Sequence, residues 1–163
     1  MDAELLYEKL LNAGFRFVSY RPRSVKETTD FLSKKLVRYK TTDTKTLTRV
    51  LNRLRELNYL DDRAFAAWWV SQRQQFRPKG WFLILNELRK KGIERSILDG
   101  LQEQGGISDE EGATKALAKK RKLWERLPPL TYKKKAYDYL GRRGFDAETI
   151  GRVIDARGEN EVK

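Results

Sequence analysis

Leu47-Thr-Arg-Val-Leu-Asn-Arg-Leu-Arg-Glu-Leu57 decides the fold class. Leu47, Val50, Leu51, Leu54 and Leu57 recur at i, i+3, i+4, i+7 and i+10, with Arg49, Arg53 and Glu56 on the other side. At 3.6 residues per turn this spacing makes one apolar stripe along a helix, not the alternating face of a strand. Outward from it the same period returns. It is carried by Phe65, Trp68, Trp69 and Phe76, then by Trp81, Ile84, Leu85 and Leu88. Ile97, Leu98 and Leu101 mark a short helix, and Ala113, Ala116, Leu117, Leu123, Trp124 and Leu127 predict one longer helix. Tyr132, Ala136, Tyr139 and Leu140 follow, then Ile150, Val153 and Ile154.

The punctuation agrees with this period. Ser24-Val-Lys-Glu27 and Ser108-Asp-Glu-Glu111 read as capping boxes, in which a hydroxyl and a carboxylate satisfy free N-terminal amides. Gly92 and Gly144 stand where a helix ends in a left-handed residue. Pro22, Pro78 and Pro128-Pro129 precede helices, where a missing N–H is tolerated. About eight helices joined by short connections are expected.

A module recurs. Arg21-Pro-Arg-Ser24 aligns with Arg77-Pro-Lys-Gly80 at an offset of 56, which sets Leu32 on Leu88, Lys34 on Lys90 and Lys35 on Lys91. An offset of 52 sets Gly144 on Gly92, Leu140 on Leu88, Arg142-Arg143 on Lys90-Lys91, and Phe145 on Ile93. Repeats of this size stack supersecondary units on one another. The predicted fold is all-α, an elongated, curved array of tandem three-helix repeats. It is divided into an N-terminal helix (1–20), a first repeat (21–75), a second (76–128) and a truncated third (129–163).

The chain has 163 residues, 39% hydrophobic and 36% charged, a globular balance with helix-favouring residues dominant. Net charge is +12, which attracts polyanions at long range. Residues 1–60 hold 13 basic and 7 acidic groups, 61–110 hold 8 of each, and 111–163 hold 14 and 8. Cys and His are absent, which excludes disulfides, Cys/His zinc sites and the usual nucleophile–base pairs. No phosphate loop ends in Lys-Ser or Lys-Thr, and Gly105-Gly106 reads as a turn. No apolar run can span a bilayer, and no signal peptide is read at the N-terminus. A cytoplasmic, non-enzymatic protein without cofactor or metal is expected, and it is read as a monomer because no spare apolar stripe is evident.

Tyr20-Arg-Pro-Arg-Ser24, Asn58-Tyr-Leu-Asp-Asp62 followed by Phe65, Arg77-Pro-Lys-Gly80, Glu87-Leu-Arg-Lys-Lys-Gly-Ile93 and Leu140-Gly-Arg-Arg-Gly-Phe145 resemble the successive signatures of the RecX family in order and spacing. The resemblance runs from about Leu10 to Ile154. It implies three tandem three-helix repeats and a modulator that binds the RecA–DNA filament along its groove. It also implies inhibition of ATPase, strand exchange and co-protease activity, with DNA binding in some members. The stretch from Val37 to Thr46 departs from the pattern, being polar and long, and Leu36 stands where Gly is usual.

The candidate contacts to RecA or to single- and double-stranded DNA are cations. The aligned pairs Lys34-Lys35, Lys90-Lys91 and Arg142-Arg143 could meet phosphate or acidic protein surface, though cations also suit helix C-termini for electrostatic reasons. Lys119, Lys122, Lys133 and Lys134 come from the densest runs, where consecutive residues spread around a helix and are commonly solvated. Arg23 and Lys79 flank the Pro-containing lead-ins, while Arg21 and Arg77 are expected to bond the carbonyls of the preceding helix. Asp61 and Asp62 read as helix caps rather than metal ligands. The four Trp read as core, with Trp81 alone open to base stacking beside Lys79 and Gly80. Two rival classes are weighed. A trihelical transcription factor would need a base-reading recognition helix, but the helices after Gly92 and Gly144 begin with Glu94 and with Asp146 and Glu148, which face phosphate badly. A metal-dependent nuclease would need an ordered carboxylate set, which the sequence lacks. A sequence-independent basic DNA binder is the remaining alternative.

Overall fold

In the computed structural model residues 2–160 are described, with side chains as far as Ala156. Residues 161–163 of the third sequence segment lie outside that range. Ten helices and no strand occur among the described residues. They are α1 (Ala3–Ser19), α2 (Val25–Arg38), α3 (Thr44–Glu56), α4 (Asp62–Phe76), α5 (Trp81–Lys90), α6 (Arg95–Glu103), α7 (Asp109–Ala118), α8 (Arg121–Trp124), α9 (Pro129–Arg142) and α10 (Ala147–Asn160). None is long and apolar enough to cross a membrane.

The decisive stretch forms α3. Leu47, Val50, Leu51 and Leu54 are buried, but the helix stops at Glu56 and Leu57 is 39% exposed. The predicted helix over 113–127 is broken. α7 ends at Ala118, Lys120 N–H donates to Leu117 O in a tighter i→i+3 bond at 2.9 Å, and α8 adds one turn on which Leu123 is exposed. The break falls in Lys119-Lys-Arg-Lys122, four adjacent cations that add no apolar side chain to hold the turn together.

The caps are mostly those expected. Ser24 and Glu27 form the full capping box, whereas Ser108 supplies one half of one, accepting from Glu111 N–H at 3.2 Å. Asp61 caps α4, accepting from Ala64 N–H at 3.0 Å. Asp62 does not cap its own helix; it accepts the Val25 N–H at the start of α2, at 2.8 Å.

Two compact units divide the chain: Met1–Trp68 with Leu88–Asp99, and Trp69–Glu87 with Gly100–Lys163. The first holds a core of Leu6, Leu10, Leu32, Leu36, Val50 and Leu54 with their neighbours. Its α1 lies close to α3 at Gly14, where a Cβ would come 2.9 Å from Leu54 Cδ1. The second holds Ala113, Ala116, Ala136, Leu140, Phe145 and Ile150 with theirs. A carboxylate opens one helix of each core, α3 in the first and α10 in the second: Asp43 accepts from Thr46 N–H at 3.0 Å, and Asp146 from Thr149 N–H at 2.7 Å. The Thr46 hydroxyl, at 2.6 Å, and then the Thr46 N–H pull Asp43 below its ordinary pKa, and the Thr149 N–H pulls Asp146 below its own.

The repeat register needs one correction. Helices α2, α5 and α9 end in the same left-handed turn. Thr41 N–H donates to Leu36 O, Ile93 N–H to Leu88 O, and Phe145 N–H to Leu140 O, at 3.1, 3.1 and 3.3 Å. The left-handed residues are Lys40, Gly92 and Gly144, with φ of 54°, 79° and 83°. Leu36, not Leu32, is therefore the counterpart of Leu88 and Leu140. Helix α2 has 14 residues and α5 has 10, so α2 is one turn longer. A shift of one turn leaves the apolar stripe nearly in phase, which is why the sequence repeat alone aligns one turn early there.

Candidate functional site

The corrected register changes which cations are equivalent. Arg38-Tyr39 corresponds to Lys90-Lys91 and Arg142-Arg143; Lys34-Lys35 lies one turn earlier on α2. In each corresponding pair the first residue is exposed (Arg38, Lys90, Arg142) and the second is partly buried (Tyr39, Lys91, Arg143). The sequence reading passes over Arg38, whose signal is its two-residue distance from Leu36, matching Lys90 from Leu88.

The partly buried partners are anchored. Lys91 Nζ lies 2.6 Å from Glu27 Oε1, and its carbonyl accepts the Ser24 hydroxyl at 2.7 Å. Arg143 Nη1 donates to Pro78 O at 3.2 Å, with its guanidinium 4.8 Å from the Tyr139 ring centroid. Lys35 stands 5.4 Å over the Phe31 ring. Lys34 is exposed.

Two carboxylates organise the lead-ins. Glu27 receives Arg21 Nη2 at 2.8 Å, Lys91 Nζ and the Ser24 N–H. Burial pushes its carboxyl up, but these donors outweigh burial and hold it at about 2. Glu87 receives Trp69 Nε1 at 2.9 Å, Arg73 Nε at 2.7 Å, and the Lys79 ammonium. Burial is again outweighed, by Lys79, Arg73 and Trp69, and its pKa falls below the ordinary value. Lys79 is thus spent on an internal ion pair.

Arg23 is equally committed. Its Nε donates to Phe17 O, in the preceding helix, at 3.3 Å, and its guanidinium covers the Phe17 ring at 4.1 Å. Burial and then the neighbouring Arg21 lower its pKa. The carbonyl-bonding role expected of Arg21 falls to Arg23, while Arg21 pairs with Glu27 and its own neighbour Pro22 O. In the C-terminal runs Lys119, Lys122, Lys133, Lys134 and Arg142 are all exposed, and Lys119 Nζ donates to Phe76 O at 2.8 Å. Trp81 packs its ring at Gly106, and its buried Nε1 has no hydrogen-bond partner. The ring is therefore half-buried packing rather than an open platform.

Asp62 and Asp109 play one role at two places. Each accepts the first N–H of a helix, Val25 or Trp81, at 2.8 Å. Burial raises the pKa of both. No group of three or more Asp or Glu that could hold a metal ion occurs among the described residues. What the geometry offers is a set of exposed cations, three of which (Arg38, Lys90 and Arg142) end α2, α5 and α9, beside a second set locked into the fold.

Two domain models of one family match the chain: RecX second three-helix domain at residues 61–100, and RecX third three-helix domain at 108–154. These matched domains begin at α4, one helix before the Pro78 lead-in, and at α7, two helices before the Pro128-Pro129 lead-in. The regulatory protein RecX of Bacillus subtilis (strain 168) is 32% identical over 149 residues, covering 91% of this chain and 54% of that protein. The chain thus spans about half the length of the Bacillus relatives it matches. The regulatory protein RecX of Chlorobium phaeobacteroides (strain BS1) is 30% identical over 150 residues, covering 91% of this chain and 93% of that one. A crystal structure of regulatory protein RecX superposes with a TM-score of 0.69 at 25% identity, covering 92% of this chain and 73% of that one. RecX from Lactobacillus salivarius shares the fold with a TM-score of 0.69 at 23% identity, covering 93% of this chain and 96% of that one.

Proposed function

This chain belongs to the RecX family, and from that premise we propose that it regulates recombination by binding the RecA–DNA filament and inhibiting ATP hydrolysis, strand exchange and co-protease activity. The observation that carries the reading is the match to a relative named a regulatory protein along 91% of this chain and 93% of that relative. The reading makes the protein a binding regulator rather than an enzyme, acting as a monomer in the cytoplasm without a cofactor. Its partners are the filament and single- and double-stranded DNA.

The contact groups in this proposal are the exposed cations: Arg38, Lys34 and Lys90 in the first unit, and Lys122, Lys133, Lys134 and Arg142 in the second. Net charge of +12 supports attraction to a DNA-containing filament. Arg38, Lys90 and Arg142 are the last residues of α2, α5 and α9, beside the left-handed turn that closes each helix, a placement that supports contact without much ordering cost. A sequence-independent basic DNA binder is the second reading, favoured by the same charge.

Single-strand-dependent ATP hydrolysis by the cognate RecA separates the two. At fixed salt, inhibition by an amount of this protein well below that of RecA is the expected result, because too little protein is then present to mask the DNA. Inhibition appearing only when the protein rivals the DNA sites in concentration would replace the filament reading with simple competition for DNA.

A further inference from the structure

We propose that the groove between α1 and α2 is a binding site for single-stranded nucleic acid, in which Tyr20 stacks a base and Lys9, Arg16 and Lys35 hold phosphates. The proposal rests on the reading above only in taking single-stranded DNA as a partner; it assigns that partner a site on the first unit that shares Lys35 alone with the paired cations. The groove encloses about 540 Å³. Three of its lining side chains are cations and four are aromatic, and none carries a carboxylate. Its charge is therefore complementary to a polyanion, and its rings to flat apolar ligands. Strands of nucleic acid combine both properties.

The aromatic faces are not equally available. Phe17 and Phe31 stack on each other at 4.1 Å with planes 3° apart. Arg23 covers Phe17 and Lys35 lies over Phe31, so this stack is closed by cations and forms the floor. Tyr20, at the end of α1, is 86% exposed and offers an uncovered ring at the rim. Exposing so large an aromatic forfeits the burial that would stabilise it, and the ring has no place in either core. Lys9 and Arg16 lie two turns apart on α1, with Tyr20 one turn beyond. From Lys9 to Tyr20 the helix rises about 16 Å, room for a few phosphates. An acidic peptide matches the cations but leaves the uncovered Tyr20 face unused, so the nucleic acid is the better fit.

The test is fluorescence anisotropy of a short labelled oligothymidylate, without RecA, on the full chain. Tyr20→Ala is expected to weaken binding about tenfold, as for one base–aromatic stack, and Tyr20→Phe to restore it. On an abasic strand of equal length the wild type and Tyr20→Ala should bind alike. Replacing Lys9 and Arg16 by Ala should flatten the salt dependence by about 0.7 for each phosphate no longer held. Equal binding of both strands by wild type and Tyr20→Ala would overturn the stacking site. A polyglutamate peptide that binds as tightly as the oligomer, and loses the same affinity in Tyr20→Ala, would overturn it in favour of an acidic-peptide groove. Either failure leaves inhibition of RecA-dependent ATP hydrolysis untouched, so the two readings fall separately.

Discussion

The lead-in to α2 in the first unit and the lead-in to α5 in the second are held by the same two bonds, made with different chemistry. In both, the first helical N–H reaches an aspartate, Asp62 or Asp109, at 2.8 Å. In both, the residue before the helix donates to the carbonyl of the anchored basic residue. Ser24 uses its hydroxyl on Lys91 O at 2.7 Å, while Gly80 uses its backbone N–H on Arg143 O at 2.8 Å. The difference is one of approach. A Cβ on Gly80 would lie 2.0 Å from Gly144 O, so the backbones there are in direct contact, whereas a serine fits in the first unit. Charge differs as well. Lys91 is clamped by Glu27, but Arg143 rests on Tyr139 and Pro78 without a carboxylate. The comparison teaches that the corner's backbone geometry recurs while the side chains that lock it do not.

Gly80→Ala is the severest way to break that comparison. The new methyl would meet backbone atoms, which cannot swing aside, so a loss above about 3 kcal/mol in urea denaturation is expected. A loss no larger than that of Ser24→Ala would mean the second corner has slack, and the contrast in approach would be wrong. Glu27→Gln comes next, with about 2 kcal/mol lost at neutral pH, since Arg21 and Lys91 lose a partly buried partner. The sign is fixed by the depressed pKa. The carboxylate's contribution is complete above its ordinary value and disappears as pH falls toward about 2. The stability gap between wild type and Glu27→Gln should therefore close on acidification; a gap independent of pH from 7 to 2 would deny the clamp its charge. Ser24→Ala should cost about 1 kcal/mol, through the lost cap and the bond to Lys91 O.

Much of this was legible in the sequence, because helical period, caps and left-handed glycines are local signals. Leu47 to Leu54, Ser24 with Glu27, and Gly92 and Gly144 all do in the structure what their spacing predicts. The misreadings have two causes: a local mark that is missing, or a partner outside the local window that decides between locally equal options. Lys40 takes the left-handed turn that glycine takes elsewhere, so the end of α2 carries no glycine to mark it and the register slips by one turn. Asp62 looks like a cap for its own helix but is positioned by α2. Arg23 and Lys79 look like free cations because Phe17 O and Glu87, which engage them, are six and eight residues away. The groove between α1 and α2 has no sequence signal, since Lys9, Arg16 and Tyr20 are scattered polar positions until α2 is laid beside them.

The gentlest substitutions sharpen the split within each basic pair. Lys90→Ala and Arg142→Ala remove exposed cations and should leave the denaturation midpoint unchanged. If these groups meet phosphate, each should lower the slope of log K against log salt by about 1 for binding to DNA or to the filament. Lys91→Ala and Arg143→Ala should do the reverse, lowering stability with little change in slope once the protein is folded. The two residues of a pair are adjacent in sequence and carry equal charge, so long-range attraction alone would make them interchangeable. Only local contact geometry separates them. Equal salt slopes for Lys90→Ala and Lys91→Ala would therefore mean that net charge, not the solvent-facing position, governs binding, and the exposed cation of each pair would lose its claim to be a contact.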